Sequence, residues 1–225
     1  MPQEPEWRRE VVLKADLFSC VEKGYLVESG EAVPLVRRDV GYSRWWLRPV
    51  ALYLANREAK ALRALEGFAG VPRLVSWRHR ILLRSWIPGR PMNEAMPTDQ
   101  AYYAAGIKFL SRLHRTGIAH NDLAKAPNWL VTPEGLPAVV DFQLASIHRK
   151  RNWYFRMLAR EDLRHLLKLK HWYCPENLTA RQRRIVETPS LPSRIWMATF
   201  KRLYNFVTRR VIGWEDREGA RDRWW

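Results

Sequence analysis

A chain of 225 residues and 26.7 kDa has room for one domain with a true core, or for two small lobes that share one cleft, and for little else. Its 47 % apolar content and twelve tryptophans exclude wholesale disorder, while two cysteines, Cys20 and Cys174, far apart and in no paired spacing, exclude a disulfide framework and a cysteine-built zinc site. A formal charge of +16 calls for an anionic partner, and charge alone leaves open whether that is nucleotide phosphate, nucleic acid, acidic lipid or acidic protein.

The polar start carries Glu4, Glu6, Arg8 and Arg9, with no apolar stretch behind them to act as a signal peptide, and no run approaches the roughly 18 apolar residues of a membrane span. The expectation is a cytoplasmic protein. Val11-Val12-Leu13, Gly24-Tyr25-Leu26-Val27 and Val33-Pro34-Leu35-Val36, parted by turn formers such as Ser29-Gly30, predict an antiparallel meander. Over 49–67 the period becomes helical: Pro49 suits the first turn, Val50, Leu54, Ala61 and Leu65 recur on one side, and Gly67 ends the run. Glu58 falls on that stripe. A carboxylate there either meets a cation across the core or sits solvated at the stripe's edge, close to Arg57 and Lys60.

Leu74-Val75-Ser76-Trp77 and the run 81–86 predict a second hairpin. Ile87-Pro88-Gly89-Arg90-Pro91 then reads as a hinge between a lobe of residues 1–88 and a lobe of residues 89–225. Thr98 as N-cap, Tyr102, Phe109, Leu110 and Leu113 as apolar face, and Gly117 as stop define the next helix. After a loop over 120–128, two strands flank Pro133-Glu134-Gly135, and the second runs into Asp141. Leu163, Leu166, Leu167 and Leu169 mark a further helix. Between positions 181 and 213 there are eight Arg or Lys against one Glu, interleaved with Trp196, Phe200, Tyr204 and Phe206. That segment reads either as a closing helix with solvated charges or as an amphipathic face for an acidic membrane surface, a partner or nucleic acid.

The chemistry concentrates in His120-Asn121-Asp122-Leu123-Ala124-Lys125-Ala126-Pro127-Asn128 and in Val139-Val140-Asp141-Phe142-Gln143. Two carboxylates and a carboxamide in loops beside apolar strands suit a hard cation such as magnesium. Phosphoryl transfer asks a protein for position and charge neutralisation: an Asp for the attacking hydroxyl, an Asn and an Asp for the metal, and a Lys near the moving group. All four residue types are present.

These segments resemble the protein-kinase-like superfamily, whose catalytic loop reads H-x-D-L-x-x-x-N and whose metal motif is D-F-G. The resemblance covers about residues 11–170 and implies an α+β, two-lobed fold: a small antiparallel β lobe with one helix, and a reduced, mainly helical second lobe. It also implies use of ATP and Mg2+, with Asp122 as the catalytic Asp, Lys125 as the loop lysine, Asn128 and Asp141 as metal ligands, and His120 as a structural support. Asp162 would brace the catalytic loop from below. Five departures stand out. The loop carries one extra residue between Asp122 and Lys125, Gln143 replaces the motif glycine, no A-P-E element follows, and the first strand pair has no glycine-rich loop. The strand lysine is also missing; Arg37 or Arg38 would hold nucleotide phosphates and pair with Glu58, and small Ser19 beside Cys20 would let the backbone approach the phosphates. The overall look is that of small bacterial RIO-like and Kdo (lipopolysaccharide-core) kinase-like proteins. The implied activity is ATP-dependent transfer to a hydroxyl of a protein or glycolipid; separately, the basic C-terminal segment would allow peripheral contact at the inner membrane face, and nucleic acid is not an expected partner. The competing reading is a pseudokinase or basic binding module.

Overall fold

The computed structural model describes residues 6–28 and 31–188. Strands β1 (Glu6–Ala15), β2 (Cys20–Glu28), β3 (Glu31–Asp39), β4 (Leu74–Arg78) and β5 (Ile81–Ser85) form one antiparallel sheet in the order β1-β2-β3-β5-β4. The predicted meander and hairpin are both present, and the strands run well beyond their apolar cores. Asp16 closes the β1–β2 turn, its Oδ1 accepting from the amides of Phe18 and Ser19 at 2.8 and 2.9 Å. The β4–β5 turn puts His79 and Arg80 at φ +49° and +68°, the pair of left-handed residues that matches strand twist in a two-residue hairpin. Register slips in β1 between Val12 and Lys14, and both Leu13 and Lys14 line the cleft below the sheet.

Between β3 and β4 lies helix α1 (Arg48–Ala64), with Pro49 in its first turn as expected. Its end precedes Gly67 by three positions. Glu58, Ala61 and Leu65 of the predicted stripe are buried and Leu54 is half-buried, but Val50 is exposed, and Ala51, Ala55, Ala59 and Leu62 widen the buried side. The small side chains let the helix lie close to the sheet, which brings Glu58, itself fully buried, within reach of the strands.

After residues 86–89, which are neither helix nor strand, β6 (Arg90–Pro91) leads into the short α2 (Met92–Ala95). Helix α3 (Gln100–Arg115) follows, capped by Asp99, not by Thr98: the Asp99 carboxylate accepts from Ala101 N at 2.8 Å. Gly117 ends it with φ +81°, where a Cβ would run into the His148 carbonyl oxygen. Then come β7 (Ile118–Ala119), β8 (Trp129–Val131), β9 (Pro137–Val139) and β10 (Ser146–Ile147); β6-β8-β9 and β7-β10 make two small sheets. Helix α4 (Trp153–Tyr173) is far longer than its leucine cluster suggested, because Asn152 caps it and Phe155 extends its buried side. The last described element, α5 (Ala180–Glu187), opens with a capping box between Thr179 and Gln182.

One core joins these helices to the loop strands. Phe109, Leu110 and Leu113 of α3, Trp129 of β8, Leu123, Phe142 and Leu166 of α4 are all buried in it, and the hydroxyl of Tyr102 donates to the Leu130 carbonyl at 3.0 Å. Among the described residues no helix is long and apolar enough to cross a membrane. The basic, aromatic stretch anticipated up to residue 213 lies outside the described residues beyond 188, as does the terminal tryptophan pair.

Candidate active site

The loop after β7 is held from beneath and from the side. Asp162, fully buried on α4, accepts from His120 N at 2.8 Å and Asn121 N at 2.9 Å, and contacts His114 Nε2 at 3.1 Å. The expected brace is thus present. Asn121, at φ +66°, donates its amide to the Leu144 carbonyl and to Ser146 Oγ, tying the loop to the segment after Asp141. His120 is fully buried: its Nδ1 accepts from Asp122 N at 3.3 Å, so Nε2 carries the proton and donates to the Val140 carbonyl at 3.1 Å. Both ring nitrogens are spent on backbone, the arrangement of a support.

With the loop fixed, its three polar side chains meet. Asn128 Nδ2 donates to the Asp122 carbonyl at 2.8 Å and to Asp122 Oδ2 at 3.1 Å, leaving its own Oδ1 outside those bonds. Lys125 Nζ lies 3.2 Å from Asp122 Oδ2. Burial pushes the Asp122 carboxyl above the usual aspartate range, although the Lys125 charge works against it. Burial works to lower Lys125, yet Asp122 and Asp141 together hold it above its ordinary value. The extra residue in the loop does not keep Asn128 from Asp122.

Asp141 sits opposite at φ +67° and ψ +68°. Its Oδ1 accepts from Gln143 Nε2 at 2.7 Å and from Arg38 Nη2 at 3.3 Å, which leaves Oδ2 outside both bonds. Burial raises its pKa, but the charges of Arg38 and Arg84, the Gln143 hydrogen bond and Lys125 outweigh that and hold it well below the usual carboxylate range. Behind it Arg38 Nη1 pairs with Glu58 at 2.9 Å, and Arg84 Nη1 pairs with the other Glu58 oxygen at 2.5 Å. Glu58 therefore meets a cation across the core, and it meets two.

Asp122, Lys125, Asn128, Asp141, Arg38 and Arg84 line one cleft of about 810 Å³, roofed by Val21 and Val36 and floored by Leu130 and Val140. Across it, α4 contributes His165, Lys168 and Trp172. Three candidates drawn from the sequence do not line this cleft: Glu58, fully buried behind Arg38 and Arg84, and Arg37 and Ser19. Arg37 points to the opposite side of β3, as alternation along a strand requires, where it pairs with Asp39 at 3.0 Å and Glu22 at 3.6 Å beside a second cavity of about 760 Å³. Ser19 is buried in the turn that Asp16 closes and does not line the cleft. Arg84 and Asn121 were missed. Arg84 had a signal, since it shares the strand face of buried Leu82.

The oxygens left over fit magnesium. A carboxylate and a carboxamide oxygen facing a cleft are the hard donors that this ion takes in small number, with the remainder coming from water and phosphate. Among the described residues no group of three or more His, Cys, Asp or Glu forms a denser metal cage.

No family profile and no curated protein matches the sequence. Among solved structures the chain is similar to the Rio2 kinase from Chaetomium thermophilum, with a TM-score of 0.57 at 16 % identity over 82 % of this chain. The matched part is 62 % of the Rio2 chain. At that identity the likeness speaks to architecture alone: with its antiparallel N-terminal sheet followed by helices, the chain has a protein-kinase-like fold.

Proposed function

We propose that the protein is an ATP- and Mg2+-dependent phosphotransferase that moves the γ-phosphoryl group to a hydroxyl, with residues 1–88 covering the nucleotide and residues 89–225 carrying the catalytic loop. The observation that carries this reading is the convergence of Asp122, Asn128 and Asp141, from two separate loops, on one cleft between the sheet and the helical part. The kinase named in the Rio2 structure supports the same reaction class. The acceptor would be a protein Ser/Thr, as in RIO-like kinases, or a sugar, as in Kdo-type kinases.

In this mechanism Val21, Val36, Leu130 and Val140 enclose the base, and Arg38 and Arg84 place positive charge toward the phosphates. Asn128 Oδ1 and Asp141 Oδ2 are the oxygens offered to magnesium, which when bound neutralises charge on the phosphates. Asp122 orients the acceptor hydroxyl. Its oxygen forms the new bond to the γ-phosphorus as the bond from that phosphorus to the bridging oxygen breaks; ADP leaves and the hydroxyl proton passes to Asp122. A carboxyl raised by burial is a better proton acceptor than an ordinary aspartate, and Lys125 beside it faces the charge on the group in transit.

The test is a thermal-shift titration with ATP, with and without magnesium, beside a labelled-phosphate transfer assay. ATP with magnesium raises the melting temperature of the wild type. Asp141→Ala loses the magnesium-dependent part of the shift, while Asp122→Asn keeps most of the shift and loses transfer. Both variants matching the wild type would overturn the assignment. A second reading, a binding module that keeps the fold without turnover, draws on one observation: Arg38 and Gln143 already occupy Asp141 Oδ1. Absence of any shift at millimolar nucleotide selects it.

A further inference from the structure

The described surface departs most from that of an ordinary soluble domain on the side formed by the start of α1 and the segment running from Asp141 into α4. Trp45 is 80 % exposed, Trp153 75 % and Tyr42 68 %, with Trp46 and Tyr53 also open to solvent. Three aliphatic side chains, Val50, Leu144 and Ile147, are exposed beside them. Singly, exposed apolar residues mean nothing; gathered on one face they mark an interaction site.

Gathered they are. Arg57 of α1 donates to the carbonyls of Leu144 and Ala145, both at 2.9 Å, and its guanidinium lies over the Tyr53 ring, 5.6 Å from the centroid. α1 also packs against β10, which carries Ile147. From there the chain passes through His148 to Trp153 and Tyr154, whose rings are 6.0 Å apart. Contacts thus run from Tyr53 and Arg57 through Leu144 and β10 to His148, Tyr154 and Trp153, and Val50 falls at helical spacing on the same side of α1 as Tyr53 and Arg57, just after Trp45 and Trp46.

Its charge is of one sign. Residues 40–57 and 144–160 together hold eight Arg or Lys and no Asp or Glu, and Arg44, Arg149, Lys150 and Arg151 are exposed. The geometry points to this face as a docking surface for an anionic lipid bilayer, with Trp and Tyr at the depth of the headgroups and the arginines and Lys150 on the lipid phosphates. Indole and phenol rings suit that boundary because one end is apolar and the other hydrogen-bonds. Val50, Leu144 and Ile147 decide against nucleic acid, since aliphatic side chains on a basic surface offer nothing to phosphate or stacked bases but insert among acyl chains. Nor does this chain's own C-terminal stretch suit the face: positions 189–225 carry eight Arg or Lys against four Asp or Glu, so its charge would repel. The inference stands apart from the phosphotransfer reading, since it involves none of the cleft residues.

The test is flotation of the full chain with vesicles of phosphatidylcholine alone or of equimolar phosphatidylcholine and phosphatidylglycerol. The wild type floats with the anionic vesicles only, and added salt weakens binding. Arg149→Gln/Lys150→Gln/Arg151→Gln lowers the partition coefficient about 100-fold, and Trp45→Ser/Trp153→Ser about tenfold, in protein whose melting temperature and ATP shift match the wild type. Failure of the wild type to float overturns the inference. So does flotation of both variants at wild-type level, which would move binding to another surface. Tighter, equally patch-dependent binding to a DNA duplex would also overturn it.

Discussion

Glu58→Gln tests the electrostatic frame behind the candidate site. The wild-type carboxylate is fully buried between Arg38 and Arg84, whose side chains are 3 % and 8 % exposed. The substitution keeps the shape and removes the one anion both share. Arg38 keeps its ion pair with Asp141, whereas Arg84 loses its ion pair and keeps only the longer-range charge of Asp141. Breaking a buried pair in this way costs about 3–5 kcal/mol. For a chain of this length that is a fall in melting temperature of about 6–20 °C. Urea unfolding measures it as a lower midpoint at unchanged slope. The charge-balanced double variant Glu58→Leu/Arg84→Met removes cation and anion together and should return to within about 2 kcal/mol of the wild type. A single variant within about 1 kcal/mol of the wild type, or a double variant as unstable as the single one, would refute the reasoning.

Asp162→Ala removes the acceptor of two loop amides, each costing about 1–3 kcal/mol when buried without a partner, so it should destabilise by about 2–6 kcal/mol in urea unfolding and abolish the proposed transfer. In magnesium-free protein, Asp141 has a folded pKa below the unfolded aspartate value of about 3.9; its stabilisation is complete above that pH and is lost as pH falls toward the folded value. Asp141→Asn should therefore flatten the acid limb of a plot of stability against pH, and an unchanged limb would contradict the Arg38 contact.

The loop over 120–128 and the Asp141-Phe142-Gln143 run were legible because their chemistry is local: the residues that converge are neighbours in sequence within each segment. The arginine partner of Glu58 was half legible. Leu35, Val36, Arg37 and Arg38 offer no alternation to show which arginine faces inward, and only pairing with β2 and β5 fixes Val36 and Arg38 on the cleft side. Arg84 escaped because a cation in an apolar strand run looks like an edge residue until a helix brings an anion over it. Val50 was placed on the wrong side of α1 since large apolar residues dominate a periodicity count, whereas the close helix-to-sheet contact is made by alanines. Ser19 was proposed on size alone; the turn it occupies is organised by Asp16, whose carboxylate is the structural signal there.

Gln143 in place of glycine changes what kind of site this is. A left-handed Asp141 costs roughly 1–2 kcal/mol by itself, and it persists because its surroundings determine it from several sides. The Gln143 amide holds Oδ1 from its own segment and Arg38 holds it from β3. Next in the chain, fully buried Phe142 packs edge-on against His120 with ring centroids 4.6 Å apart, and His120 is bonded to the Val140 carbonyl. A switch needs an element with two comparable positions. Moving Asp141 here would break two hydrogen bonds and expose Phe142 at once, so the Asp141-Phe142-Gln143 segment is preorganised and not gated. On the proposed phosphotransfer reading, the step left open to control is access of nucleotide and acceptor to the cleft. The face proposed to dock on an anionic bilayer, joined through Arg57 to the carbonyls of Leu144 and Ala145 just beyond Gln143, lies beside the segment it would serve.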